Sequence, residues 1–214
     1  MEAQIYVDDI IFGGMSEQLV QQFVQQMESE FEMSMVGELN YFLGFQVKQM
    51  KDGIFISQSK YAKNLVKKFG LENTKSKRTP AAIQVKVSKD IDGSSVDISN
   101  YRSMIGSLLY LTASRQDISY SVRVCARFRA DPKESHLNQA KRIIKYVNST
   151  VDYDLLYSFN TNISLVGYCD ADWAGNTEDR KNTYGGCFFL GNNLVSWFSK
   201  KQNSISLSIA EVEW

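Results

Sequence analysis

A pair of adjacent aspartates between two short apolar runs constrains the start of this chain more than any other feature. Asp8 and Asp9 interrupt the stretch from Gln4 to Gly14, whose other residues are mainly β-branched or aromatic. This pattern predicts a strand, a tight turn and a second strand, with both carboxylates at the hairpin tip. Carboxylates held so close repel one another unless a cation neutralises them, which favours a divalent metal site. A plain surface turn, where aspartate is common, is the more frequent origin of such a pair.

A helix and a second hairpin are predicted after this stretch. Ser16 is a candidate N-cap for an amphipathic helix whose apolar residues run from Leu19 to Phe31. Residues 39–47 predict one strand, and residues 53–57 predict its partner. The turn between them, Lys51-Asp52-Gly53, contains an Asp-Gly pair typical of a type I′ hairpin.

The next predicted helix has one apolar face and one strongly basic face. Ser59 is its candidate cap, and Gly70 marks its end. The basic face either contacts nucleic-acid phosphates through sequence-independent charge or is simply solvated. Its lysines are Lys60, Lys63, Lys67 and Lys68.

A polar segment separates this helix from three more. Residues 79–99 contain Pro80 and many small or polar residues, which predicts a linker. Asp117 is a candidate cap for the second of the later helices, and Pro132 separates the second from the third. The three helices are predicted over about 100–114, 117–130 and 134–148.

Basic residues also mark the second and third of these helices. Their side chains face either nucleic acid or solvent, and the sequence does not decide between these alternatives. His136 is expected to be solvated or to cap the third helix, since no second histidine is present to share a metal. The basic residues are Arg123, Arg127, Arg129, Lys141, Arg142 and Lys145.

Beyond Val151 the apolar pattern changes from helical to strand-like. Asp170 and Asp172 follow the second predicted strand, and Gly191-Asn192-Asn193 is a turn of the kind that hairpins favour. A capping-box pattern at residues 208–211 predicts the start of a helix. The strands are predicted over 155–159, 163–169, 185–190 and 194–198.

Composition excludes several classes of protein. The formal net charge is zero, so any basic surface for nucleic acid must be local. The three cysteines, Cys125, Cys169 and Cys187, show no CxxC spacing, which argues against a disulfide framework and against a zinc site. No apolar run is long enough to span a bilayer, and no signal peptide is visible. We expect an intracellular protein with no membrane or disulfide partner.

Longer stretches connect these patterns to a known family. Tyr6-Val7-Asp8-Asp9 between apolar strands resembles the catalytic hairpin of reverse transcriptases. The chain as a whole is similar to the Pol polyprotein of copia-type LTR retrotransposons, in the same order and over nearly its whole length. The other stretches that carry this resemblance are Leu39–Val47, Tyr101–Leu111, Gly167–Gly175 and Val195–Gln202.

The resemblance implies an α+β fold in four parts. The first is the C-terminal part of a reverse transcriptase, with the catalytic hairpin, the end of the palm and a thumb-like helix. A linker and a helical connection follow, and then the N-terminal part of a ribonuclease H-like domain with an incomplete mixed sheet. These parts would span residues 1–78, 79–99, 100–150 and 151–214.

The resemblance also implies phosphoryl transfer assisted by two Mg²⁺ or Mn²⁺ ions at each of two sites. Asp8 and Asp9 would serve the polymerase, whereas Asp170 and Glu213 would serve the ribonuclease H, with Glu211 as the alternative to Glu213. The implied partners are an RNA template, a DNA primer, an RNA–DNA hybrid and the rest of the Pol polyprotein.

Both implied sites lack carboxylates that the family needs. The polymerase requires a further aspartate from an earlier strand, and the ribonuclease H requires acidic residues beyond its first helix. We therefore expect a fragment truncated at both ends, with little or no activity. The alternative is a non-catalytic nucleic-acid-binding protein or a domesticated relic, which the basic segments favour.

Overall fold

The computed structural model describes residues 1–82, 87–172 and 181–203. Helices and antiparallel sheets both occur, so the expected α+β class is confirmed. The chain divides into two compact units, residues 1–42 and residues 43–214. The predicted division into four parts stays a prediction.

The first unit consists of a hairpin, a helix and a short strand. Strands β1 (Glu2–Tyr6) and β2 (Asp9–Gly13) pair antiparallel, and helix α1 spans Glu17–Glu30. The predicted cap is confirmed, because the Ser16 hydroxyl accepts a hydrogen bond from the Leu19 amide at 3.4 Å. The Phe12 and Phe23 rings, with centroids 5.1 Å apart, pack the hairpin against α1.

The single strand predicted over residues 39–47 is wrong. Strand β3 (Tyr41–Phe42) ends before β4 (Phe45–Met50) begins. Between them Leu43 has φ of 47° and Gly44 has φ of 80°. Consecutive positive φ values interrupt an extended backbone, and the apolar pattern alone gives no sign of them.

The second unit is built around four helices. They are α2 (Ser59–Lys68), α3 (Ile98–Leu111), α4 (Ser119–Ala126) and α5 (Glu134–Asn148), with a 3₁₀ turn over Gln116–Ile118 before α4. Their apolar faces meet in one buried cluster, in which Tyr101, Ile105 and Leu108 are fully inaccessible to solvent. Burial of these faces holds the helices together, because it removes their apolar surface from water.

Strand β5 (Gly53–Ser57) is central to the first sheet of this unit. It pairs antiparallel with β4 on one side and with β6 (Leu155–Ser158) on the other. The predicted hairpin of β4 and β5 is confirmed, but the type I′ turn is wrong, since neither Lys51 nor Asp52 has positive φ. Gly53 lies in the strand instead, where a Cβ atom would collide with the carbonyl oxygen of Tyr157 on β6.

A second sheet contains β7 (Leu165–Asp172), β8 (Thr183–Leu190) and β9 (Asn193–Lys201), in that order and all antiparallel. A two-residue turn at Gly191-Asn192 joins β8 to β9, with φ of 59° at Gly191, and confirms the predicted hairpin. The sheet is attached to the helices by side chains. The Trp197 indole nitrogen donates to the Thr112 carbonyl oxygen at 3.0 Å, which fixes β9 to the end of α3.

Two predicted helix caps are wrong. Ser59 is the first residue of α2 rather than its cap, and its hydroxyl donates to the Gln46 side chain at 3.1 Å. Asp117 lies inside the 3₁₀ turn, where its carboxylate accepts hydrogen bonds from Arg115. In both cases another side chain holds the polar group in place of the helix end.

His136 performs the predicted capping role but is fully buried rather than solvated. Its Nδ1 accepts from the Lys133 amide at 2.9 Å, and its Nε2 lies 2.6 Å from the Ser88 carbonyl oxygen. The ring stacks on Phe128 with centroids 4.0 Å apart. Residues 87–96, within the predicted linker, thus contact the start of α5, where Ser95 also bridges to Lys133.

Candidate functional site

The hairpin in the first unit presents both predicted catalytic carboxylates to solvent. Tyr6 pairs with Asp9, so the turn consists of Val7 and Asp8, and Asp9 is the first residue of β2. Both aspartates are exposed. Val7 has φ of 53°, which is uncommon for a β-branched residue. The first turn residue therefore adopts a strained conformation beside the acidic pair.

Aromatic contacts hold this hairpin at both of its ends, because Tyr6 lies next to the turn and Phe12 lies near the open end. Tyr6 packs edge-to-face on Phe42 with centroids 5.9 Å apart, and Phe12 packs on Phe23 of α1. The carboxylates therefore extend from a supported scaffold, as a catalytic or binding site requires.

The donor atoms of the acidic pair suit Mg²⁺ or Mn²⁺, which prefer oxygen ligands. Across the described parts of the chain, however, no group of three or more histidine, cysteine or acidic side chains is arranged to hold a metal ion. Asp8 and Asp9 thus fit the chemistry of a metal site but supply only part of a carboxylate set.

The residues predicted for the ribonuclease H site are only partly described. Asp170 lies in β7, paired with Gly185 of β8, and is exposed. Asp172 ends the same strand, so both aspartates lie within β7 and do not follow it as predicted. Glu213 and its alternative Glu211 lie outside the described residues. Asp170 belongs to the second unit, whereas Asp8 and Asp9 belong to the first.

The basic face predicted for α2 is present. Lys60, Lys63 and Lys67 are exposed and form one stripe at helical spacing, opposite a buried face. Lys68 differs from them, because its amine donates to the Ser103 hydroxyl at 2.9 Å and lies 5.2 Å from the centre of the Phe69 ring. Among the described residues the stripe is therefore an exposed cationic surface with no protein partner, whereas Lys68 helps to join α2 to α3.

The basic residues of α4 and α5 are more involved in internal contacts. Arg127 donates to the Thr183 hydroxyl at 2.7 Å and links the end of α4 to β8. Arg142 donates to the carbonyl oxygen and the hydroxyl of Thr79, at 3.2 and 2.9 Å. Lys141 and Lys145 are half-buried, whereas Arg123 is exposed.

A buried polar network that sequence reasoning missed lies where α5 ends. Arg115 is 3% exposed and forms two hydrogen bonds to the Asp117 carboxylate, at 2.9 and 2.7 Å. The same guanidinium donates to the carbonyl oxygen and hydroxyl of Thr150, at 2.8 and 2.7 Å. Tyr146 donates its hydroxyl to Asp117 at 2.7 Å. The only signal in the sequence is an arginine two residues before an aspartate, between apolar helices.

This network sets the pKa values of its members. Burial alone would raise the pKa of Asp117, but hydrogen bonds from Arg115 and Tyr146 and the guanidinium charge outweigh burial and lower it. Burial, reinforced by the hydrogen bond to Asp117, raises the pKa of Tyr146 to about 12. The ion pair therefore stays charged and the phenol neutral, as a structural bridge between α5 and the 3₁₀ turn requires.

Comparison with known proteins connects these features to a family. A family model described as "Reverse transcriptase (RNA-dependent DNA polymerase)" matches residues 2–83, which include the acidic hairpin. An uncharacterized mitochondrial protein of Arabidopsis thaliana is 36% identical over 211 residues, covering 98% of this chain and 87% of that protein. The Pol polyproteins of the Arabidopsis transposons RE1 and RE2 are 35% and 33% identical over 210 residues. The chain belongs to the copia-type retrotransposon Pol family.

The match to the Pol polyproteins covers only part of their length. The chain spans 14% of RE1 and 14% of RE2, although 98% of the chain itself is aligned to each. No solved structure gives a significant match. Among the described residues, no helix is both long and apolar enough to cross a membrane.

Proposed function

We propose that this Pol-family chain contributes the catalytic hairpin of an RNA-directed DNA polymerase, together with the connection and the first strands of a ribonuclease H. One observation carries the proposal. The hairpin that presents Asp8 and Asp9 to solvent lies within the residues that match the reverse transcriptase model. Residues 1–78, 100–150 and 151–214 would be the polymerase, connection and ribonuclease H parts, with a linker over 79–99.

The proposed partners follow from this assignment. They are an RNA template, a DNA primer, the RNA–DNA hybrid and the rest of the Pol polyprotein. The hybrid would be bound through its phosphates by exposed lysines of α2, because such contacts position a duplex without reading its sequence. The protein would distinguish the RNA–DNA hybrid from other duplexes by its shape and by the 2′-hydroxyl groups of its RNA strand.

The proposed chemistry is phosphoryl transfer. Bound Mg²⁺ or Mn²⁺ ions would supply stabilisation of the attacking and leaving oxygens in an in-line displacement. Asp8 and Asp9 would hold the ions for extension of the primer 3′-hydroxyl, and Asp170 with Glu213 would do so for hydrolysis of the RNA strand. Because the acidic hairpin supplies only part of a carboxylate set, this chain alone is expected to have little or no activity.

A primer-extension assay tests this expectation. With an oligo(dT) primer on poly(rA) and with Mg²⁺, the wild-type chain should extend the primer no more than Asp8→Asn does. The reason is that a site short of carboxylates binds and positions metal poorly. An electrophoretic mobility shift of the same hybrid at low salt serves as the control for a folded, binding-competent protein. Mg²⁺-dependent extension that disappears in Asp8→Asn would overturn the expectation of inactivity.

A second candidate function is nucleic-acid binding without catalysis. The exposed stripe of Lys60, Lys63 and Lys67 favours it, because three aligned cations suit a row of phosphates. Replacing all three by glutamine should reduce the salt slope of hybrid binding by about 2.7, at about 0.9 per phosphate contact. The measurement is fluorescence anisotropy over a range of salt concentrations.

The matched control removes three exposed lysines elsewhere, Lys48, Lys51 and Lys200. Its net charge equals that of the stripe variant, so a general charge effect would alter both slopes equally. Equal slopes in the two variants would contradict a specific role for α2.

A further inference from the structure

A cleft in the second unit lies between the α3–α4 corner and β9. Its volume is about 390 Å³, and its walls include Leu109, Thr112, Ser119, Arg123, Val195 and Trp197. The cleft is shallow and open to solvent. Asp8, Asp9, Asp170 and the α2 lysines do not line it, so the cleft is separate from the proposed catalytic and duplex-binding residues.

The cleft contains a charge without a protein partner. Arg123 is exposed, and within the described parts of the chain no hydrogen bond or ion pair engages its guanidinium. This sets it apart from Arg115, Arg127 and Arg142, which all bind protein oxygens. A free guanidinium in a concave site favours a phosphate or carboxylate, which it binds through paired N–H groups.

The remaining walls combine hydroxyl and aromatic groups. Ser119 is 6% exposed, and among the described residues its hydroxyl has no hydrogen-bond partner, yet it lines the cleft. The Trp197 indole also lines the cleft and is held in place by its hydrogen bond to Thr112. Aliphatic walls from Leu109 and Val195 complete the site. A cation, a free hydroxyl and a fixed indole together match a phosphate, a sugar and a base.

We propose that this cleft binds one nucleotide of a single-stranded nucleic acid. Arg123 contacts the phosphate, Ser119 the phosphate or sugar, and the Trp197 side of the cleft the base. A single strand is favoured over a duplex, because a cleft of this volume admits one unstacked base and not a helix. The inference rests on the proposed nucleic-acid function and adds to it a contact for the unpaired part of a template.

Binding by a fluorescein-labelled oligouridylate of about 12 nucleotides tests the proposal. Arg123→Gln should raise the dissociation constant about tenfold, as expected for the loss of one charge-assisted hydrogen-bonding contact. It should also reduce the salt slope by about 0.7, the value for one phosphate on a single strand. Arg129→Gln is the matched control, because Arg129 is an exposed arginine outside the cleft. Thermal unfolding followed by circular dichroism verifies that each variant is folded.

Photocrosslinking gives a second measurement that needs no substitution in the cleft. An oligonucleotide containing 5-iodouridine should crosslink to Trp197 or Tyr110, the aromatic residues of the cleft, and peptide mass spectrometry locates the adduct. Crosslinks confined to other parts of the chain would overturn the proposal.

The remaining outcomes separate the proposal from the function on which it rests. If the oligouridylate binds Arg123→Gln as tightly as Arg129→Gln, the cleft is not the site, although nucleic-acid binding stands. If neither this probe nor the RNA–DNA hybrid binds the wild-type chain, both the cleft proposal and the proposed nucleic-acid function are refuted. If a polyglutamate peptide binds in an Arg123-dependent manner and the oligouridylate does not displace it, the cleft serves an acidic protein partner instead.

Discussion

At the scale of single residues, the Arg115–Asp117 pair shows how a guanidinium can be kept inside this fold. Arg115 forms four hydrogen bonds, two to Asp117 and two to Thr150, and it lies 5.8 Å from the centre of the Tyr146 ring and 5.4 Å from that of Tyr153. A buried guanidinium is tolerated because each of these groups replaces part of its lost hydration. The exposed Arg123 has no such partners within the described ranges, which is why we assign the two arginines different roles.

Asp117→Asn should destabilise the protein in a pH-dependent way. Folding lowers the pKa of this carboxyl below its ordinary value of 3.8. Its stabilising contribution is therefore complete above that value and is lost as the pH falls through the folded-state pKa. The Asp117 side chain is 27% exposed, so solvent screening should limit the cost at pH 7 to about 2 kcal/mol.

Urea unfolding at several pH values measures this effect. The difference in unfolding free energy between the wild type and Asp117→Asn should shrink as the pH falls below about 4. Asp92→Asn, a change at an exposed aspartate, is the control and should leave the curve unaltered. A difference between Asp117→Asn and the wild type that is the same at every pH would refute the ion-pair explanation.

At the scale of elements, the start of α5 depends on one side chain. The neutral form of His136 is required there, because Nδ1 must carry a lone pair to accept from the Lys133 amide. The opposite nitrogen then carries the proton and donates to Ser88. A single imidazole thus caps the helix and ties residues 87–96 to it.

Replacement of His136 separates these two tasks. His136→Ala should lower the unfolding free energy by about 3 kcal/mol, since it leaves a cavity and two unpaired backbone groups. His136→Gln should recover part of this loss, because glutamine at the same helical position can accept from the cap amide. Urea unfolding of both variants measures the two losses, and equal losses would contradict the capping role.

Element boundaries were predictable where local chemistry controls them. Helix α5 covers residues 134–148, as predicted, because Pro132 and a regular apolar stripe mark its extent. The break between β3 and β4 and the conformation of the turn before Gly53 could not be predicted in this way. The backbone angles of Leu43 and the close approach of β6 to Gly53 depend on tertiary structure. Sequence reasoning also predicted the acidic hairpin and the exposed lysines of α2, because turn residues and helical spacing are local signals.

At the scale of the whole molecule, the pairing of strands distant in sequence could not be predicted from sequence patterns. Strand β6 corresponds to the predicted first strand of the ribonuclease H part. It pairs with β5, which lies in the predicted polymerase part. The polar network of Arg115 was missed for the same reason, since Thr150 and Tyr146 approach it only after the helices pack. Hydrophobic periodicity identifies elements and the faces they bury, but it contains no information on partners distant in sequence.

The pairing of β5 with β6 also has a consequence for synthesis on the ribosome. Gly53 pairs with Ser158, so β5 keeps one unpaired edge until residues 155–158 have left the exit tunnel. All four helices of the second unit are synthesised in that interval. Closing so long a loop lowers the chain entropy, and the strand contacts offset this loss only once they have formed. The second unit therefore completes its first sheet late, after its helices have had time to form.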